Sequence, residues 1–89
     1  MMSFEGIVDR WLADNHSDYW VWSIPEEGWW TSKSYIITND ETLFAVIAEN
    51  TIIPTTAYKD ICDEISAYDP KFFEKLEYFI IKAEKRHNK

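Results

Sequence analysis

Glycine is scarce in this chain: 89 residues hold only Gly6 and Gly28. A phosphate-cradling loop needs clustered glycines, so that chemistry is not expected. The only cysteine, Cys62, has no partner for an intramolecular disulfide, and a lone thiol suits a reducing compartment. No apolar run approaches the roughly 18–20 residues that cross a bilayer. The start, Met1 to Glu5, has no basic stretch ahead of an apolar run, so no secretory signal is expected and the location expected is cytoplasmic. Basic residues are few as well, nine Lys and Arg against sixteen Asp and Glu, for a net charge of −7. Nucleic-acid binding draws most of its affinity from a basic footprint, so direct nucleic-acid binding is not expected either. There are no internal repeats and no low-complexity segment.

Aromatic side chains are abundant: five Trp, five Tyr and five Phe. Each buries roughly 150–250 Å², and a chain this short has a small core, so some rings are expected at the surface. Four of the five tryptophans fall between Tyr19 and Ala48, together with most of the β-branched residues. Such side chains suit a half-buried pleated surface, which predicts three short strands at 19–24, 30–38 and 42–48. In the first strand Trp20, Trp22 and Ile24 share one face, and Tyr19, Val21 and Ser23 the other. In the second, Trp29, Thr31, Lys33, Tyr35 and Ile37 share a face, so Trp29 and Trp30 split between two. Pro25-Glu26-Glu27-Gly28 and Asn39-Asp40 are the turn signals between strands. The continuous apolar run Leu43–Ala48 also fits a helix, but its shortness and the preceding turn favour a strand.

Helices are predicted on both sides of this stretch. Phe4, Ile7, Val8, Trp11 and Leu12 recur at helical spacing, which predicts a helix over 3–14 with Ser3 as N-cap. Ala57, Tyr58, Ile61, Cys62 and Ile65 form a second stripe, which predicts a helix over 56–68. Asp69-Pro70 reads as an N-cap followed by the first helical position of a third helix, 70–87, with stripe Phe72, Phe73, Leu76, Phe79, Ile80 and Ala83. The fold class expected is therefore α+β: one small domain over residues 1–89, of order α-β-β-β-α-α, with a three-stranded antiparallel meander and helices packed on one face. The start of the second predicted helix reads Tyr58-Lys59-Asp60. The element order resembles the double-stranded-RNA-binding fold in topology alone, because such domains carry a lysine-rich start at that position.

Groups able to do chemistry are thinly spread. His16 sits between Asp14 and Asp18 without a second histidine or a cysteine nearby, and reads as a solvated loop residue. His87 belongs to the charged tail. Cys62 has Asp60, Asp63 and Glu64 as neighbours in sequence, and negative charge raises a thiol's pKa, the reverse of what a nucleophile needs. Glu26 and Glu27 are adjacent on a turn, where two carboxylates rarely converge on one substrate. No catalytic residue, metal ligand or cofactor is expected.

Charge is unevenly spread. Residues 1–70 carry thirteen acids and three bases, whereas residues 71–89 carry three acids and six bases. This acidic body with a basic C-terminal tip fits a non-catalytic protein that binds another protein with a basic surface, with no direct nucleic-acid or membrane contact. The acidic surface expected to face such a partner comprises Asp18, Glu26, Glu27, Asp40, Glu41, Asp60, Asp63 and Glu64. The aromatic anchor expected comprises Trp20, Trp22, Trp29, Trp30 and Tyr35. In type, though not in sequence, such a chain is similar to phage anti-restriction or anti-CRISPR inhibitors and to immunity proteins that block nuclease toxins. Two alternatives stand beside this reading. One is a structural module forming a homodimer through helix 70–87, where Tyr78 and Ile81 lie outside the main stripe. The other is a small-ligand or sugar-binding module built on the tryptophan cluster.

Overall fold

Ser3 opens the first helix of the computed structural model, which describes residues 3–25 and 32–89. Its hydroxyl accepts a hydrogen bond from the Gly6 amide at 3.1 Å, an N-cap that satisfies one otherwise orphan donor of helix α1, Phe4–Asn15. Val8 and Leu12 are fully buried on its inner stripe. Strand β1 (Tyr19–Pro25) follows, then β2 (Ser32–Thr38), β3 (Leu43–Ala48), β4 (Thr51–Pro54) and the two-residue β5 (Ile65–Ser66). A long helix, α2 (Phe72–His87), ends the chain.

All neighbouring strands are antiparallel and lie in sequence order, β1-β2-β3-β4-β5, so the sheet is a five-stranded meander. The α+β class stands, but the three-stranded order α-β-β-β-α-α does not. The helix expected over 56–68 is absent. In its place stand one 3-10 turn, Thr56–Tyr58, a loop, and β5. Ile52-Ile53 lie in the fourth strand, the extended conformation that a residue before proline favours. Ile65 leaves its helical stripe to pair with Ile52, and both are buried. Asp69 does not cap α2 by occupying its N-cap position. Its side chain instead accepts from the Lys71 amide at 2.8 Å and its carbonyl from the Phe72 amide, so the helix begins at Phe72 rather than at residue 70.

Two turns set the register. Glu49 and Asn50 both have positive φ, 50° and 62°, and join the paired residues Ala48 and Thr51. This is the mark of a two-residue type I′ hairpin, whose twist matches that of the strands. The β2–β3 connection is built around the buried Thr38. Its hydroxyl donates to Asp40 Oδ1 and accepts from the Thr42 amide at 3.0 Å. Just before it the register slips: Ile36 pairs with Ala45 but Ile37 pairs with Leu43, which leaves Phe44 as an extra residue on β3. The bulge places Phe44 in the core, where its ring meets Tyr19, Tyr58 and Phe79 at centroid distances of 5.3, 4.7 and 6.4 Å.

One face of the sheet is closed by both helices. Tyr19, Ile36, Ala45, Ile47, Ile52 and Ile65 form one core with Val8 and Leu12 of α1 and with Phe72, Leu76, Phe79, Ile80 and Ala83 of α2. The other face has no described element over it. Both edges of the sheet are blunted. On β1 the outward amide of Tyr19 donates to the His16 carbonyl and that of Val21 to Asp9 Oδ1, both at 3.0 Å, while Pro25 has no N–H. The opposite edge is the two-residue β5.

Candidate functional site: the open face of the sheet

Residues paired across antiparallel strands share a face, so the register defines what the open face carries. Trp22 lies opposite Tyr35, Tyr35 opposite Val46, and Val46 opposite Ile53, a row that crosses four strands. Beside it Trp20 and Leu43 flank Ile37, which is itself buried, and Ile24 lies opposite Lys33. Trp20 is 37% exposed and Trp22 45%, and Ile24 and Leu43 are exposed to a similar degree. The Trp22 and Tyr35 rings stand 6.3 Å apart, so Tyr35 props the tryptophan from the side. Strands are spaced about 4.8 Å apart, so a four-strand row spans roughly 15 Å.

Acids border this face. Asp18, just before β1, and Glu41, in the β2–β3 turn, are exposed at one end of the sheet, because Tyr19 pairs with Thr38. Glu49 is exposed at the other end, in the β3–β4 turn. Asp63 and Glu64 line an open cleft with Ile53, Lys59 and Cys62, which brings them to the β4 border of the face. Two of the acids expected to face a partner are paired within the chain, although both stay exposed. Asp60 is held by the Arg86 guanidinium through two hydrogen bonds of 2.6 and 2.9 Å, which keeps its carboxyl below the usual range. Asp40 is held lower still by the Thr38 and Thr42 hydrogen bonds, with His87 Nε2 at 2.9 Å from its other oxygen. Glu26, Glu27, Trp29 and Trp30 lie outside the described residues.

Neither histidine is where its sequence context put it. His16 is half-buried, its Nε2 2.6 Å from Glu77 Oε1 and its ring 5.4 Å from that of Trp11, rather than solvated in a loop. His87 joins the last turn of α2 to the β2–β3 turn rather than trailing in a charged tail. The Tyr19 hydroxyl donates to Glu84 in the same seam, and burial, then that bond, push its pKa well above the usual tyrosine range. These pairs join residues 47 to 65 positions apart, and no local pattern announces them. Cys62 is packed against the core, and burial, then Asp63, push its thiol up, so it is a poor nucleophile. Among the described residues no group of three or more His, Cys, Asp or Glu is placed to hold a metal ion. No described helix is long and apolar enough to cross a membrane.

The open-face residues missed by sequence reasoning are Leu43, Val46 and Ile53. Strand alternation signals them weakly, because the run Leu43–Ala48 is apolar on both faces and the bulge at Phe44 shifts its parity. No family model matches the chain, and neither does any curated protein or solved structure.

Proposed function

We propose that this chain is a non-catalytic binding protein whose open sheet face docks a basic surface of another protein. In its more specific form the reading is inhibition: the chain covers the basic groove of a nucleic-acid-processing partner. The observation that carries it is the pair Trp20 and Trp22, about half exposed on one apolar face and bordered by Asp18, Glu41, Glu49, Asp63 and Glu64. Acids at the border steer a basic partner into place and set the salt dependence. Tryptophan and tyrosine at the centre supply a rigid anchor with few rotamers to lose. The blunted edges direct docking to the face rather than to an added strand.

The test is capture of partners from nuclease-treated lysate by tagged chain, at low and high salt, with Trp22→Ala and the double change Asp18→Lys with Glu41→Lys run in parallel. The expected partner is basic, held at low salt and released at high salt. Its affinity falls roughly 30-fold or more with Trp22→Ala and by a smaller factor with the charge reversals. A partner held equally well by all three chains at both salts overturns the reading.

A further inference from the structure

The outer face of α2 complements the open sheet face in both sign and chemistry. Phe72, Leu76, Phe79, Ile80 and Ala83 turn inward. Tyr78, Ile81, Lys82 and Lys85 recur at the spacing of one helical stripe on the opposite side, with Glu74 one turn ahead of them and Lys89 just past the helix end. Tyr78 is 52% and Ile81 40% exposed, and the Lys82 ammonium lies 5.5 Å from the Tyr78 ring centre. Because α2 packs on the closed face of the sheet, this stripe points away from the tryptophans, although Tyr78 shares a cleft with Asp63 and Glu64 of the same chain, which leaves Asp18, Glu41 and Glu49 as the border acids away from α2.

We infer that the open sheet face of one copy receives the outer α2 stripe of a second copy, so that the chain associates head to tail. Tyr78 and Ile81 seat on the row Trp22, Tyr35, Val46 and Ile53, while Lys82, Lys85 and Lys89 meet the acids at its border. This inference rests on the docking role proposed above for the sheet face, and names an occupant for it. Sign decides the arrangement. Two sheet faces packed together would set acid border against acid border, and two outer helix faces would oppose their lysines. Only the unlike pair brings opposite charges together. The net charge of −7 opposes any association of copies, but at physiological salt the field of distant charges is screened beyond about 8 Å, so the local match prevails. A head-to-tail contact leaves one free face of each kind at the ends, and growth continues unless the rotation closes a ring. A basic partner and a second copy then compete for the same tryptophans.

Sedimentation velocity of the full chain tests this, across rising protein concentration and at low and high salt, for wild type, Trp22→Ser, and Lys82→Glu with Lys85→Glu. Expected for wild type is an average mass that climbs past the dimer and an association constant that falls roughly tenfold or more between about 50 and 500 mM salt. Each variant alone stays monomeric. Their mixture forms a 1:1 complex and stops there, because each supplies the face the other lacks. Circular dichroism checks that each variant is folded, and Trp20→Ser with Tyr78→Ser repeats the pairing if one is not. Wild type that is monomeric throughout or stops at a dimer, variants that associate like wild type, or a mixture with no 1:1 complex overturns the inference. A monomeric chain that still captures a basic partner through Trp22 sinks self-association alone. Intact assembly with no basic partner captured sinks only the docking reading.

Discussion

Thr38 and Asp40 show how much one turn rests on two side chains. The Thr38 hydroxyl, the Thr42 amide and His87 all converge on the Asp40 carboxylate. Its folded pKa is depressed, first by the Thr38 bond, so the stability it contributes is present above its unfolded value of about 3.9 and is lost as pH falls through the lower folded value. Asp40→Asn is therefore expected to lower the urea midpoint near neutral pH, with the gap to wild type closing in acid. A gap constant from neutral pH into strong acid would show that the carboxylate's charge is not what matters there. Tyr19 works with the opposite sign. Its folded pKa is raised, chiefly by burial, so its contribution is complete below the unfolded value of about 10 and is lost as pH rises beyond it. Tyr19→Phe leaves Glu84 without its phenolic donor and is expected to cost about 1–2 kcal/mol, while flattening the alkaline fall of the urea midpoint.

At the scale of elements, the parts written in local pattern were legible. The apolar stripe and Ser3 cap located α1, and alternation of Trp20 and Trp22 against Tyr19 and Val21 located β1 and its two faces. The predicted helix over 56–68 fails for a reason outside that segment. The stripe Ala57, Tyr58, Ile61, Cys62 and Ile65 is genuine, but Ile52 offers Ile65 a strand partner, and pairing across thirteen residues outweighs propensity within one turn. The Glu49-Asn50 turn carries little local signal, because glutamate is a poor choice for positive φ. Glu49→Asn is expected to stabilise by up to about 1 kcal/mol, since asparagine tolerates that conformation better; thermal unfolding reads this out, and a lower midpoint would refute it. On the edge of β1, Asp9→Ala frees the outward Val21 amide. Faster aggregation at unchanged helix content is the expected result, followed by light scattering.

Across the whole molecule the core and the proposed docking face depend on different residues. Phe44 is fully buried among four rings, those of Tyr19, Tyr58, Phe79 and His87, and Phe44→Ala is expected to cost about 3–5 kcal/mol, a large share of the stability of a domain this size. Trp22→Ala on the open face should change stability by less than about 1 kcal/mol while weakening the proposed docking roughly 30-fold or more. Urea titrations of both variants check the contrast, and a loss for Trp22→Ala as large as that for Phe44→Ala would make the tryptophan a structural residue. The distribution of charge was legible from residue counts, but its division between a sheet face and a helix face was not, because it depends on which side of the sheet α2 covers.

The blunted edges have a consequence for how this chain can change over evolutionary time. Main-chain pairing is nearly indifferent to sequence, so a protein that recognises its partner by lending a strand cannot easily change that partner. With Asp9 and the His16 carbonyl occupying the outward amides of β1, and only two residues in the strand at the other edge, the docking proposed above is left to side chains. Trp20 and Leu43 flank the buried Ile37, whereas Trp22 stands freer on the open face. Under the docking role proposed above, single substitutions at Trp22 therefore retune partner choice in small steps while the fold stays intact.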